Sequence, residues 1–124
     1  MKGQLLTTDG RLDESLENAR AAVALDPRSP IAHYALGLVF VARKDIEQAI
    51  RTFNEVLTLR PGAGDAELHL SRLHLSRGDA VTAVQFGANA VKRMPQSVVA
   101  HVAYAQALIA RSLVPRCSPH RDGL

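Results

Sequence analysis

His33-Tyr34-Ala35-Leu36-Gly37-Leu38-Val39-Phe40, then Ala49-Ile50-Arg51-Thr52-Phe53 and a closing Pro61, is the stretch on which the fold turns. Leu36, Val39, Phe40 and Arg43 follow one another at three- and four-residue steps, the period of a helix with one covered face. Ile46, Ala49, Ile50, Phe53, Val56 and Leu57 form a second stripe of the same kind. Between them Lys44-Asp45 reads as a turn, with Asp45 and Gln48 spaced as in a capping box. Ser29 followed by Pro30 opens the first helix, because proline in the first turn lacks only an N–H that would go unpaired anyway. Arg60-Pro61-Gly62 ends the second, since proline biases the residue before it away from helix. The stretch is a pair of antiparallel helices.

The pair recurs. Pro27, Pro61 and Pro95 lie 34 residues apart, and so do Gly3, Gly37, Ser71 and Ala105. Ser15, Ala49 and Ala83 keep the interval, as do Ala22, Val56 and Ala90. Four series with one period mark a repeat architecture, whereas an unrelated bundle has no reason to hold the spacing. Small residues also have a packing role, since Gly37 and Ala49 allow two helix axes to approach closely while Phe40 and Phe53 fill the space beside them. The pattern predicts helices near 12–25, 30–43, 46–59, 65–77, 80–93 and 98–111.

These residues resemble the tetratricopeptide repeat family, whose pattern W-x2-L-G-x2-Y, A-x3-F, P is met as His33-x2-Leu36-Gly37-x2-Phe40, Ala49-x3-Phe53 and Pro61. The next unit runs Glu67-x2-Leu70-Ser71-x2-His74, Ala83-x3-Gly87 and Pro95. It departs from the pattern at Glu67, His74 and Gly87, which suggests a looser third pair of helices. The resemblance implies an all-α fold, a right-handed helical solenoid of antiparallel helix pairs, over residues 1–112. Its first and last repeats are partial. From 113 to 124 the periodicity stops, and Pro115 and Pro119 predict a disordered tail.

Composition narrows the chemistry. The 124 residues carry 15 Lys and Arg against 12 Asp and Glu, a formal charge of +3 that gives no basic stripe for nucleic acid. Asp65 and Glu67 stand where such a stripe would lie. The one cysteine, Cys117, cannot form an internal disulfide and has no neighbouring base to activate it. The start of the chain has no signal-peptide core and no run is long enough for a bilayer span, so the expected address is cytoplasmic, with no membrane partner. His69 and His74 are five residues apart, off the four-residue step that puts two ligands on one helix face, and no Cys-x-x-Cys or H-E-x-x-H motif occurs. Gly62-Ala63-Gly64-Asp65 lacks the lysine of a phosphate cradle. No enzyme activity, cofactor or metal is expected.

The resemblance implies a protein-interaction module whose leading helices line a concave groove for a partner's peptide or helix. Carried over by register, the groove residues are Tyr34, Leu38 and Val41, then Leu68, His69, Arg72 and Leu75, then Val102, Gln106 and Ile109. Family members that bind chaperone tails hold a carboxylate with Lys, Asn and Arg. The matching places here are mostly Tyr, Leu, Ala, Val and Gln, which disfavours that ligand. The expected partner is a protein or peptide with apolar anchors, with Arg72 free to meet an acidic group. The helix 98–111 has apolar residues on several faces and is a candidate for self-association. The alternative reading is a repeat arm or regulatory module of a larger enzyme, such as a transferase.

Overall fold

A computed structural model describes residues 2–113, with side chains from residue 10 onward. Over that range the chain is helical throughout, with no strand among the described residues. The order is α1 (Lys2–Leu25), α2 (Pro30–Ala42), α3 (Ile46–Leu59), α4 (Gly64–Ser76), α5 (Ala80–Arg93) and α6 (Val98–Leu113). The expected helices are all present. The tail residues 114–124, Cys117 among them, lie outside the described residues, and Leu113 still belongs to α6.

Helix starts follow the capping residues. Ser29 Oγ accepts from the Ala32 N–H at 3.2 Å, and Ser97 Oγ accepts from the Ala100 N–H at 3.1 Å. Asp45 accepts from the Gln48 N–H at 3.5 Å and Asp79 from the Thr82 N–H at 3.1 Å. Each satisfies one of the donors that a helix start leaves without an internal partner. Hydrogen bonds from the side chain and backbone of Thr82 hold the Asp79 carboxyl below its usual range. The stabilisation from ionised Asp79 is therefore present above the ordinary carboxylate pKa and is lost as pH falls through the depressed folded value.

The turn before each aspartate needs one residue at positive φ. Lys44 takes φ 63° and Gly78 φ 86°. The next equivalent place, Gly10, could do the same, yet α1 runs through it without a break. The residue after Gly10 is Arg11, where the other two turns have Asp45 and Asp79. Without an acceptor side chain to cap a new helix, the old one continues. The first period thus contributes one long helix instead of the end of one and the whole of another.

The chain divides into two compact units, at Ala66–Glu67. In the first, α1 packs on α2 and α2 on α3. Its core is Ala19 of α1, Ala32 and Phe40 of α2, and Ala49, Ile50, Phe53 and Val56 of α3. Phe53 is 0% exposed. A Cβ on Gly37 would stand 2.8 Å from Phe53 Cζ and 2.9 Å from Cε2, closer than any side chain tolerates. The residue facing Gly37 is thus the Phe53 ring, and α2 approaches α3 only because position 37 has no side chain.

The second unit reaches the same result by different means. Position 71, equivalent to Gly37, holds a serine that is buried and donates from Oγ to the Ala83 carbonyl at 2.8 Å. Position 87, equivalent to Phe53, is glycine, and a Cβ there would stand 3.1 Å from Tyr104 Cα and 3.2 Å from Ser71 Oγ. The backbone of α6 thus comes close to α5 at Gly87, and Ser71 of α4 lies beside the same point. Alanines carry the rest, with Ala90, Ala100 and Ala103 around Leu68, and Ala83 and Ala107 beside Val84.

Replacing Gly37 or Ala49 by Leu is expected to destabilise by about 1–3 kcal/mol through overpacking. Denaturant melts read by far-UV circular dichroism check this, and a Gly37→Leu protein as stable as the parent contradicts the packing.

Candidate functional site

The leading helices α2, α4 and α6 carry the ten residues expected from register, and their surroundings separate them into three kinds. Some belong to the scaffold. Leu68 is buried with Ala90, Ala100 and Ala103, and Leu75 packs against the cluster of Ala83, Val84 and Ala107. Leu68 is corrected from groove surface to core and Leu75 stands half-buried, because α5 and α6 cover the side of α4 on which they stand. Tyr34 is divided between roles. Its ring meets Phe53 edge-on, with centroids 5.6 Å apart at 73°, a geometry that aromatic quadrupoles favour. Burial, and secondarily the Asp65 carboxylate, push the Tyr34 phenol above its usual range. It stays neutral at any physiological pH.

Others remain at the surface. Leu38 and Ile109 are exposed, while Val41 and His69 are half-buried.

Three of the ten come together. Arg72 of α4 and Val102 and Gln106 of α6 line an open pocket of about 250 Å³, completed by Val98, Val99 and Ala103. Register did not single out Val98, Val99 and Ala103. The available signal was an exposed valine pair straight after the Ser97 cap, where a helix start presents both residues outward. Among the described residues no carboxylate lies within ion-pair distance of the Arg72 guanidinium. Glu67, one of its own-helix candidates, is only 4% exposed and faces Arg93 instead, with Arg93 Nε 3.3 Å from its Oε1. A buried carboxylate requires such a partner, so Glu67 is unavailable to Arg72.

The remaining polar residues serve the scaffold. His33 Nε2 donates to the Pro27 carbonyl and His101 Nε2 to the Pro95 carbonyl, each at 2.8 Å. At the intervening equivalent place stands Glu67, which makes the Arg93 pair instead. His74, in the place of Phe40, stacks on Phe86 with centroids 5.6 Å apart and planes 9° from parallel. His74 Nδ1 also lies 3.8 Å from Asp79 Oδ2. Among the described residues no group of three His, Cys, Asp or Glu is placed to hold a metal ion, and no helix is long and apolar enough to cross a membrane.

Comparison with known proteins agrees with this geometry. The tetratricopeptide repeat family model matches residues 1–64 and again 35–98, and the chain belongs to that family. A tetratricopeptide repeat and J domain-containing co-chaperone, DNJ1 of Fusarium oxysporum f. sp. lycopersici, is 33% identical over 78 residues, which are 63% of this chain and 15% of that protein. The chain therefore spans a small part of that relative's length. Among solved structures, the first such domain of Spaghetti (RPAP3), bound to the HSP90 peptide SRMEEVD, superposes with a TM-score of 0.79 at 15% identity. That match covers 90% of this chain and 88% of the other. The Yersinia enterocolitica type III secretion chaperone SycD, in complex with a peptide of the translocator YopD, gives 0.74 at 12% identity, covering 85% and 86%. At such identities the likeness is one of fold.

Arg72→Ala is expected to leave stability within about 0.5 kcal/mol, as for surface residues that make no packed contact. Leu68→Ala is expected to cost about 2–5 kcal/mol, as for a buried leucine. Tyr34→Ala falls between the two, because its edge contact with Phe53 is lost. Thermal melts of the three variants give the order directly, and an Arg72 variant as damaged as the Leu68 variant contradicts the division.

Proposed function

We propose that this chain is a protein–protein interaction module, an adaptor or scaffold element, that binds a partner's peptide or helix on the exposed face of its leading helices. The observation that carries this reading is Arg72, which has no carboxylate partner among the described residues, beside exposed apolar surface on α6. His69 and Ile109 are further candidate contacts in the second unit, and Leu38 and Val41 of α2 are candidates within the first. Two fold neighbours were solved with peptides bound, an HSP90 peptide in one and a translocator peptide in the other, which supports peptide recognition as the use of this fold. The composition suits a cytoplasmic address, since a single thiol requires no oxidising environment.

A second contact lies on another side of α6. Leu108 is 40% exposed, and Ala105 is exposed too. They stand in the register of Phe40 and Gly37, both of which are buried. The uncovered side therefore supports self-association of this chain through α6. A further reading, that these repeats form an arm of a larger protein, is favoured by the co-chaperone relative, of which this chain matches 15%.

A photoreactive amino acid placed at Leu38 or Ile109 is expected to cross-link partner protein, while the same probe at Arg51 or Gln85, exposed on α3 and α5, is not. Equal capture from all four positions contradicts the leading-helix assignment. In sedimentation velocity the parent is expected to associate with rising concentration and Leu108→Glu to remain monomeric. A parent that stays monomeric at high concentration removes the self-association.

A further inference from the structure

The pocket between α4 and α6 has a chemistry specific enough to define its occupant. One wall is aliphatic: Val98, Val99 and Val102, of which Val98 is the most exposed. Arg72 of α4 lines the pocket as well, with Gln106 of α6. Its volume of about 250 Å³ falls below the roughly 300–1,000 Å³ typical of small-molecule sites. It holds one or two side chains, and a cofactor is too large for it. Val98, Val102 and Gln106 recur every four residues and span about 12 Å of helix. An occupant that meets all three runs along α6 for two turns, and the places of a clamp for a terminal carboxylate hold mostly Tyr, Leu, Ala, Val and Gln, so the acid that Arg72 meets is a side chain's.

Charge decides the polar half. Arg72 has no carboxylate partner among the described residues, and the buried Glu67 on the same helix is committed to Arg93. A single guanidinium beside a carboxamide matches one carboxylate in charge and in hydrogen-bond geometry. Nucleic acid is disfavoured, because a phosphate backbone needs a series of cations and the pocket that Arg72 lines is otherwise largely valine.

We propose that this pocket takes an internal segment of a partner protein in which an Asp or Glu side chain pairs with Arg72. A Val-, Ile- or Leu-sized side chain, within about one helical turn of that acid, packs on Val98, Val99 and Val102. The proposal rests on the leading-helix reading above and names the ligand class for one part of that surface. Arg72 supplies selectivity for charge and the valines supply apolar area. Gln106 holds the segment's backbone or the second carboxylate oxygen.

The test uses the whole chain and a phage-displayed library of random 12-residue peptides. The enriched peptides are expected to share an Asp or Glu with an aliphatic residue no more than four positions away. Synthetic versions with a carboxamide C-terminus are expected to bind, since the recognised acid is internal. Arg72→Glu and Val102→Asp are expected to weaken that binding at least tenfold while helicity and melting temperature stay at parental values. Selection on the Arg72→Glu protein is expected to replace the acid by Lys or Arg. Peptides that bind without an acidic preference, that ignore Arg72→Glu and that are lost on Leu38→Asp overturn the pocket assignment but leave the leading-helix reading standing. Binding that needs a free C-terminal carboxylate overturns the internal-segment proposal. Enrichment no greater than on an uncoated support overturns both.

Discussion

The close approach of neighbouring helices, at a point where one of the two facing positions carries no side chain, is the constraint on which the rest depends. In the first unit that point is Gly37, against the fully buried Phe53 ring, and a methyl group there would overlap the ring. Packed interiors have little free volume to absorb such an overlap, so a change of one carbon is felt. Because α2 lies close to α3, Ala49 is buried as well, and Tyr34 reaches the edge of the same ring. The exposed faces of the leading helices are the remainder, the side that this contact leaves open.

The second unit shows that the spacing is kept while its chemistry is exchanged. Serine replaces the glycine and glycine replaces the ring, and each substitution makes sense only with the other. Ser71 satisfies its hydroxyl on the Ala83 carbonyl, a bond that offsets the cost of burying a polar group. Gly87 then admits the backbone of α6 at Tyr104. Helices that meet through alanine and glycine lose side-chain contacts but gain from closer axes, and dispersion falls off steeply enough with distance for that exchange to be favourable. His74 stacked on Phe86 is a third exchange of the same sort, a polar ring performing a flat apolar role.

Much of this was legible in the amino acids. The interval between Pro27, Pro61 and Pro95 and the small-residue series placed every helix from Pro30 onward, because turns and close crossings admit few residue types. The first helix, expected near 12–25, starts at Lys2 and runs on through Gly10 and Arg11, where no acceptor side chain caps a new helix. The site was legible in part. Register identified Arg72, Val102 and Gln106, since it reports which way a residue points from its own helix. It does not report what a neighbouring helix covers, and for that reason Leu68 was placed at the surface and lies in the core, while Leu75 stands half-buried against Ala83, Val84 and Ala107. The Glu67–Arg93 pair joins residues 26 apart, which no local pattern signals.

The dependence on close backbone approach is tested most directly by a double-mutant cycle between Gly37 and Phe53. Gly37→Ala introduces the overlapping methyl, Phe53→Leu removes the ring atoms that it meets, and the pair restores part of the fit. Unfolding free energies of the parent, both single variants and the double variant give the coupling without assumptions about either residue alone. If the contact sets the helix spacing, the double variant is more stable than the sum of the two losses by about 1 kcal/mol or more. Losses that add to within about 0.3–0.5 kcal/mol contradict it, because residues that add in this way do not touch.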